Sequence, residues 1–133
     1  MNSEAGLDAA RETVLRYLVL MERRDIDAAQ RLVAADAVFI FPGGTQRRDL
    51  AAIVAGSTLR YRSIGKTIDR CDLCRGPGGV VIAYVMGTLQ GLWLDGEAFA
   101  GIRFVDRFEL SDGLIRRQEV WNDSGEARAR RAG

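Results

Sequence analysis

One carboxylate stands on the wrong side of an alternating pattern. In AFAGIRFVDRFELSDGLIRRQEVWND, residues 98–123, Asp106 shares its parity with Ile102, Phe104, Phe108 and Leu110. Arg103, Arg107 and Glu109 take the other parity. Side chains alternate across a strand, so Asp106 is carried into an apolar surface. A carboxylate there takes up a proton or finds a partner, because an unpaired buried charge is too costly. Such a group is either part of a pocket or a structural acid bonded to Tyr17, Gln118 or a backbone amide. Tyr17, on the apolar stripe of a helix, is the second candidate: its ring packs and its hydroxyl needs a partner. Cys71-Asp-Leu-Cys74 has the spacing of a redox or half-zinc motif, but no second pair completes it. On a strand those two thiols point to opposite faces, so they read as structural. The chain has no histidine, which removes imidazole catalysis and imidazole-based zinc sites. No metal and no cofactor is expected.

The elements that must position Asp106 and Tyr17 follow from periodicity. Residues 8–23 predict a first helix with Asp8 as N-cap and Ala10, Val14, Tyr17, Leu18 and Met21 as its buried stripe. Asp25 caps a short second helix through about Ala34. Ala37 to Phe41 is a strand stopped by Pro42-Gly43-Gly44, and residues 46–58 predict a third helix. From Ile64 the period changes to two. Residues 64–75 form a weakly patterned strand, and Gly76-Pro77-Gly78-Gly79 turns it over. Val80 to Leu94 is a long strand, and Asp95-Gly96 predicts a two-residue type I′ turn. That register sets Gly87 against Phe104 and Val85 against Asp106, with Leu89 and Trp93 also facing inward. A three-residue loop at Ser111-Asp112-Gly113 then sets Gln118 against Asp106, Val120 against Phe104 and Asn122 against Ile102. Arg117, Glu119 and Trp121 face the other way.

With 133 residues, 47% apolar and 28% charged, the chain has the size and composition of one globular domain, residues 1–123. The last ten residues, 124–133, read as a frayed basic tail. A net charge of +1 gives no reason to expect nucleic acid or an anionic membrane. No apolar run reaches the roughly 20 residues of a membrane span, and the start lacks a leader pattern, so a cytoplasmic location is expected. An exposed Trp121 among charges on the back of a sheet suggests a homodimer through that outer face.

The order helix, short helix, strand, helix, then a strand meander resembles the nuclear transport factor 2-like superfamily. The segments LRYLVLMERRDIDAAQRLVAADAVFIFPGG and RFVDRFELSDGLIRRQEVWND carry the likeness. The resemblance implies a cone-shaped, cystatin-like α+β fold, with a curved, mostly antiparallel mixed sheet wrapped around about three N-terminal helices and a central pocket. SnoaL-like proteins, ketosteroid isomerases and limonene-epoxide hydrolases share that fold, which hosts many chemistries. Tyr17 falls where ketosteroid isomerases place an oxyanion-binding tyrosine, and Asp106 where they place a protonated, hydrogen-bond-donating aspartate. Their general-base position, before a proline at the end of the first strand, is Phe41 here. The arginine and aspartates of the epoxide hydrolases have no counterpart. GTLQG at 87–91 resembles the middle strand of SnoaL-like cyclases, with Leu89 or Gln90 where a histidine is often found.

Three readings follow. The first is an isomerase-, cyclase- or lyase-like enzyme acting on a small apolar carbonyl compound, with Asp106 and Tyr17 as oxyanion donors. Phe41, Val85, Leu89, Trp93, Phe104, Phe108, Gln118, Val120 and Asn122 would line its substrate pocket. The second is a non-catalytic pocket for an apolar metabolite. The third is a dimeric interaction module with a vestigial pocket.

Overall fold

The computed structural model describes residues 3–132. Helix α1 (Ser3–Glu22) begins before Asp8, which therefore sits inside the helix and pairs with Arg11 at 2.8 Å instead of capping. Helix α2 (Ile26–Gln30) is capped by Asp25, whose Oδ1 accepts from the Ala28 amide at 3.3 Å. Strand β1 (Val33–Phe41) starts earlier than the sequence predicts. Pro42 to Gly44 then turns the chain into β2 (Thr45–Arg47), whose Gln46 and Arg47 the sequence reading places in the third helix. The correction has a simple cause. Asp49 is a true N-cap, accepting from the Ala51 amide at 2.9 Å, so helix α3 cannot begin before Leu50 and runs to Thr58. Next come β3 (Tyr61–Arg75), a single 3₁₀ turn at Pro77–Gly79, β4 (Val81–Trp93), β5 (Ala98–Ser111), β6 (Leu114–Asn122) and α4 (Ser124–Ala132).

The strands form one mixed sheet in the order β2-β1-β6-β5-β4-β3, with β1 parallel to β6 and every other pair antiparallel. Helix α1 packs on β3, β4 and β6, and its apolar stripe becomes core. Tyr17 lies between Phe39, stacked at 6.2 Å, and Phe108, edge-on at 5.9 Å. Arg107, Glu119 and Trp121 occupy the opposite face, as parity requires.

Both hairpin turns depart from expectation. The β4–β5 loop has three residues, Leu94-Asp95-Gly96, closed by the Trp93 amide donating to the Glu97 carbonyl and the Gly96 amide to the Trp93 carbonyl, with Gly96 at φ 87°. The pairings Val85–Asp106 and Gly87–Phe104 nevertheless hold, because Ala100 and Gly101 together oppose Gln90. That bulge, with Gly101 at φ 75°, absorbs the extra residue. The β5–β6 turn is the two-residue one, with Asp112 at φ 53° and Gly113 at φ 74°. A bulge at Arg116 then shifts the register, so Asp106 faces Val120, Phe108 faces Gln118 and Phe104 faces Asn122. Face assignments survive and individual partners change.

The C-terminal segment is also corrected. Residues expected to fray form α4, and Arg131 lies 5.0 Å over the Trp93 ring and bonds Asp95 at 2.5 Å and Glu97 at 3.2 Å.

Two bulges bend the edge strand. β3 carries an extra residue at Arg62 and another at Asp69, and each lies beside a glycine of β4. A Cβ on Gly91 would stand 2.1 Å from the Ser63 carbonyl oxygen, and one on Gly87 would stand 1.9 Å from that of Thr67. Neither distance is tolerable, so glycine permits the close approach that folds β3 over. Gly87→Ala is expected to cost about 3 kcal/mol, in the range of core overpacking. Chemical denaturation measures it, and an unchanged midpoint would show that the β3 backbone adapts freely.

Candidate functional site

The bent segment of β3 between the two bulges carries Lys66. Its backbone amide donates to Glu22 Oε1 at 2.8 Å, tying the edge strand to the end of α1. Its side chain extends over Phe104, 4.8 Å from Nζ to the ring centroid, and Nζ donates to Asp106 Oδ2 at 2.5 Å. Asp106 is fully buried, whereas the Lys66 side chain keeps 25% of its surface exposed. The other carboxylate oxygen, Oδ1, is buried and has no hydrogen-bond partner among the described residues.

This pairing gives Asp106 a partner that the sequence reading does not foresee. The sequence reading makes it a neutral donor held in hydrocarbon. In the structure its Oδ2 accepts from an ammonium group, and the cation answers the electrostatic demand that protonation would otherwise meet. Periodicity missed Lys66 because it lies on a weakly patterned edge strand, bulged on either side of it. A compositional signal was present. Among 19 lysines and arginines Lys66 is the only lysine, and an ammonium offers a proton and an amine that a guanidinium does not.

A cavity of about 260 Å³ opens beside the pair, bounded by α1, α3 and the sheet. Tyr17, Phe41, Leu89, Phe104, Asp106, Gln118, Val120 and Asn122 all border it. Three expected lining residues do not. Val85 and Phe108 are wholly enclosed in the core. Trp93 is buried against Tyr61 and Phe99, with ring centroids 5.5 and 4.5 Å away, because α4 covers that end of the sheet. Asn122 has a structural task as well, its Oδ1 accepting from the Ser124 amide at 3.0 Å where α4 starts. Residues from α3 and β3 complete the lining, notably Ile53, Tyr61, Ile64 and Lys66. Glu22, Arg24, Arg47 and Arg60 are exposed residues that also border it.

The chemistry available is proton transfer in an apolar setting. Burial pushes the Tyr17 hydroxyl far above its ordinary pKa, and the Asp106 charge adds to that effect. Tyr17 therefore stays protonated and is a donor, never a base, at any physiological pH. Lys66 is a cationic donor partly open to the cavity, and Asp106 offers an acceptor oxygen without a protein partner. The cysteines lie apart from this group. Cys71 is half-buried and Cys74 exposed, and both are free thiols. Burial raises the Cys71 thiol, with Arg11 pulling the other way, so it is not an activated nucleophile.

Comparison with known proteins agrees with this architecture. No curated protein matches the sequence. Among solved structures, a nuclear transport factor 2-like protein of unknown function from Burkholderia pseudomallei superposes with a TM-score of 0.72 at 17% identity, over 90% of this chain and 94% of its own. TerC, co-crystallised with polyporic acid, superposes with a TM-score of 0.72 at 20% identity, over 91% of this chain and 96% of its own. A protein from Jannaschia sp., proposed to be a SnoaL-like polyketide cyclase, reaches a TM-score of 0.70 at 17% identity, over 90% and 89%. Those identities establish a shared fold, and the family model for the SnoaL-like domain matches residues 14–118. This α+β chain, with its curved mixed sheet and its cavity beside Lys66 and Asp106, belongs to the SnoaL-like domain family.

Proposed function

We propose that this protein is an enzyme acting on a small, largely apolar carbonyl compound, of the isomerase, cyclase or lyase type. One observation carries the reading: a lysine–aspartate ion pair borders an apolar cavity and leaves a buried carboxylate oxygen without a partner. Stability alone gives little reason for such a pair, since a hydrophobic pair of similar volume often serves as well. In the proposed mechanism Lys66 and Tyr17 donate to the carbonyl oxygen and hold the negative charge that builds as an enolate forms. Asp106 Oδ1 receives the proton from the neighbouring carbon. The acceptor that a β1 aspartate supplies in ketosteroid isomerases is thus supplied from β5, while Phe41 serves only as apolar wall. The polyketide cyclase assignment of a structural neighbour supports carbonyl chemistry on this fold without identifying the substrate.

Exchange of carbon-bound hydrogen in deuterated water tests this directly. With simple β-diketones and aryl methyl ketones as probes, the protein is expected to accelerate exchange next to the carbonyl, followed by NMR. Asp106→Asn should slow it by about a hundredfold or more, the usual contribution of a positioned base. A protein that binds these probes in the cavity without accelerating exchange is a binding module.

The donor role of Tyr17 has its own check. In the unfolded chain its hydroxyl ionises near pH 10, while in the folded chain it stays neutral, so above that pH the unfolded state has lost a proton that the folded state keeps. Stability then falls as pH rises. Relative to Tyr17→Phe, the native protein is expected to lose about 1.4 kcal/mol per pH unit above roughly pH 10. Parallel denaturation curves for the two proteins across that range would refute a neutral, buried hydroxyl.

We also propose a homodimer through the outer face of the sheet. Trp121 is 53% exposed on that face, where Tyr84 is exposed too, amid ion pairs of Arg107 with Glu109 and Glu119 and of Arg117 with Glu119. An amphipathic aromatic surrounded by paired charges suits an interface better than open water. Sedimentation velocity should find a dimer, and Trp121→Asp should yield monomers with unchanged circular dichroism. A monomeric native protein would end this proposal.

A further inference from the structure

We propose that Lys66 is a covalent amine, forming an iminium with an aldehyde or unhindered ketone bound in the cavity. This rests on the carbonyl reading above and narrows its substrate class. The argument starts from placement. Lys66 is the part-exposed member of the ion pair and borders the cavity, while its counter-charge is fully buried. An approaching carbonyl carbon therefore meets the amine before the carboxylate. An ammonium has no free electron pair, but Nζ donates a hydrogen bond to Asp106 Oδ2, with 2.5 Å between the two atoms. Passing the proton across that bond leaves a neutral amine and a neutral acid, with no net movement of charge out of the pocket.

The steps balance. The amine nitrogen forms a bond to the carbonyl carbon, and one nitrogen-bound proton moves to the former carbonyl oxygen, giving a neutral carbinolamine. Asp106 returns its proton to that hydroxyl, the carbon–oxygen bond breaks, and water departs. What remains is a protonated carbon–nitrogen double bond beside the Asp106 carboxylate. Overall, an ammonium and a carbonyl become an iminium and water, and the buried carboxylate faces one positive charge before and after. A lysine is suited to this reaction, because its amine becomes nucleophilic once desolvated and relieved of its proton. Phe104 lies against Nζ and favours either cation, the ammonium or the iminium. Arginine at position 66 would keep the ion pair and lose the nucleophile. The other 18 basic residues of the chain are arginines, so no second side-chain amine competes.

That last fact makes the experiment clean. The full chain is incubated with trans-cinnamaldehyde and sodium cyanoborohydride and followed by intact mass and peptide mapping. The expected product is one reduced adduct on Lys66, heavier by the aldehyde less one oxygen atom. It should form at least tenfold faster than the adduct on the chain's α-amino group, and Lys66→Arg should abolish it. Labelling at Lys66 no faster than at the α-amino group overturns the inference, as does labelling that misses Lys66. Hydrogen exchange on the ketone probes separates this failure from failure of the broader reading. Exchange that persists in Lys66→Arg, with no adduct in the native protein, removes the covalent step and retains enolate chemistry. Absence of both adduct and exchange removes both.

Discussion

A buried carboxylate with a single cationic partner is the constraint around which this structure is organised. Asp106 sits at full burial in the middle of the sheet, and in that environment its charge must be answered nearby. The answer comes from two strands away, from Lys66 on the sheet edge. Flat strands would hold those positions apart, since Lys66 is in register with Leu89 while Asp106 is in register with Val85. The ion pair therefore requires curvature, and curvature requires the bulges at Arg62 and Asp69 together with the side-chain-free Gly87 and Gly91 beneath them.

The helical layer completes the same task. Glu22 at the end of α1 accepts the Lys66 amide, which otherwise would be an open donor on an edge strand. One carboxylate thus fixes the backbone of Lys66 and another fixes its side chain. Because α1 also brings Tyr17 between Phe39 and Phe108, one helix sets the position of Tyr17 and, through Glu22, that of the Lys66 backbone. The cavity is the space left where this curved sheet and α1 diverge, and α3 bounds it with Ile53 and its neighbours.

The parts legible in sequence were those governed by parity and periodicity. Alternation alone placed Asp106, Phe104, Leu89 and Val120 on the inner face, and a helical stripe placed Tyr17. Those inferences tolerate errors in turn length, as the two hairpins show. The first turn gained a residue and the second lost one, yet bulges at Gly101 and Arg116 restored the faces. What parity cannot convey is how far along a strand a side chain reaches, and so it could not separate cavity residues from core. Phe108 and Phe104 look alike in the sequence, but only Phe104 borders the cavity. Trp93 was misplaced for another reason. Its cover is α4, a segment whose arginines read as a solvated tail until Arg131 found Asp95, Glu97 and the indole face. Lys66 was hidden because a bulged edge strand has no readable period.

The charge arrangement bears on why the basic residue at this position is a lysine. A guanidinium would answer Asp106 with a firmer, bidentate pair and would never release its proton. The monodentate contact seen here leaves Oδ1 without a partner and leaves the cation tethered by a single bond. For stability that is the poorer solution. For chemistry it is the better one, because an amine can give up a proton where a guanidinium cannot. Phe41 fits this division of labour: with no acid at the end of β1, the charged groups lie on β3 and β5, across β6 and β4 from it. A cavity bordered by a buried carboxylate and by the lysine that pairs with it can remain apolar towards its guest and still present a donor and an amine.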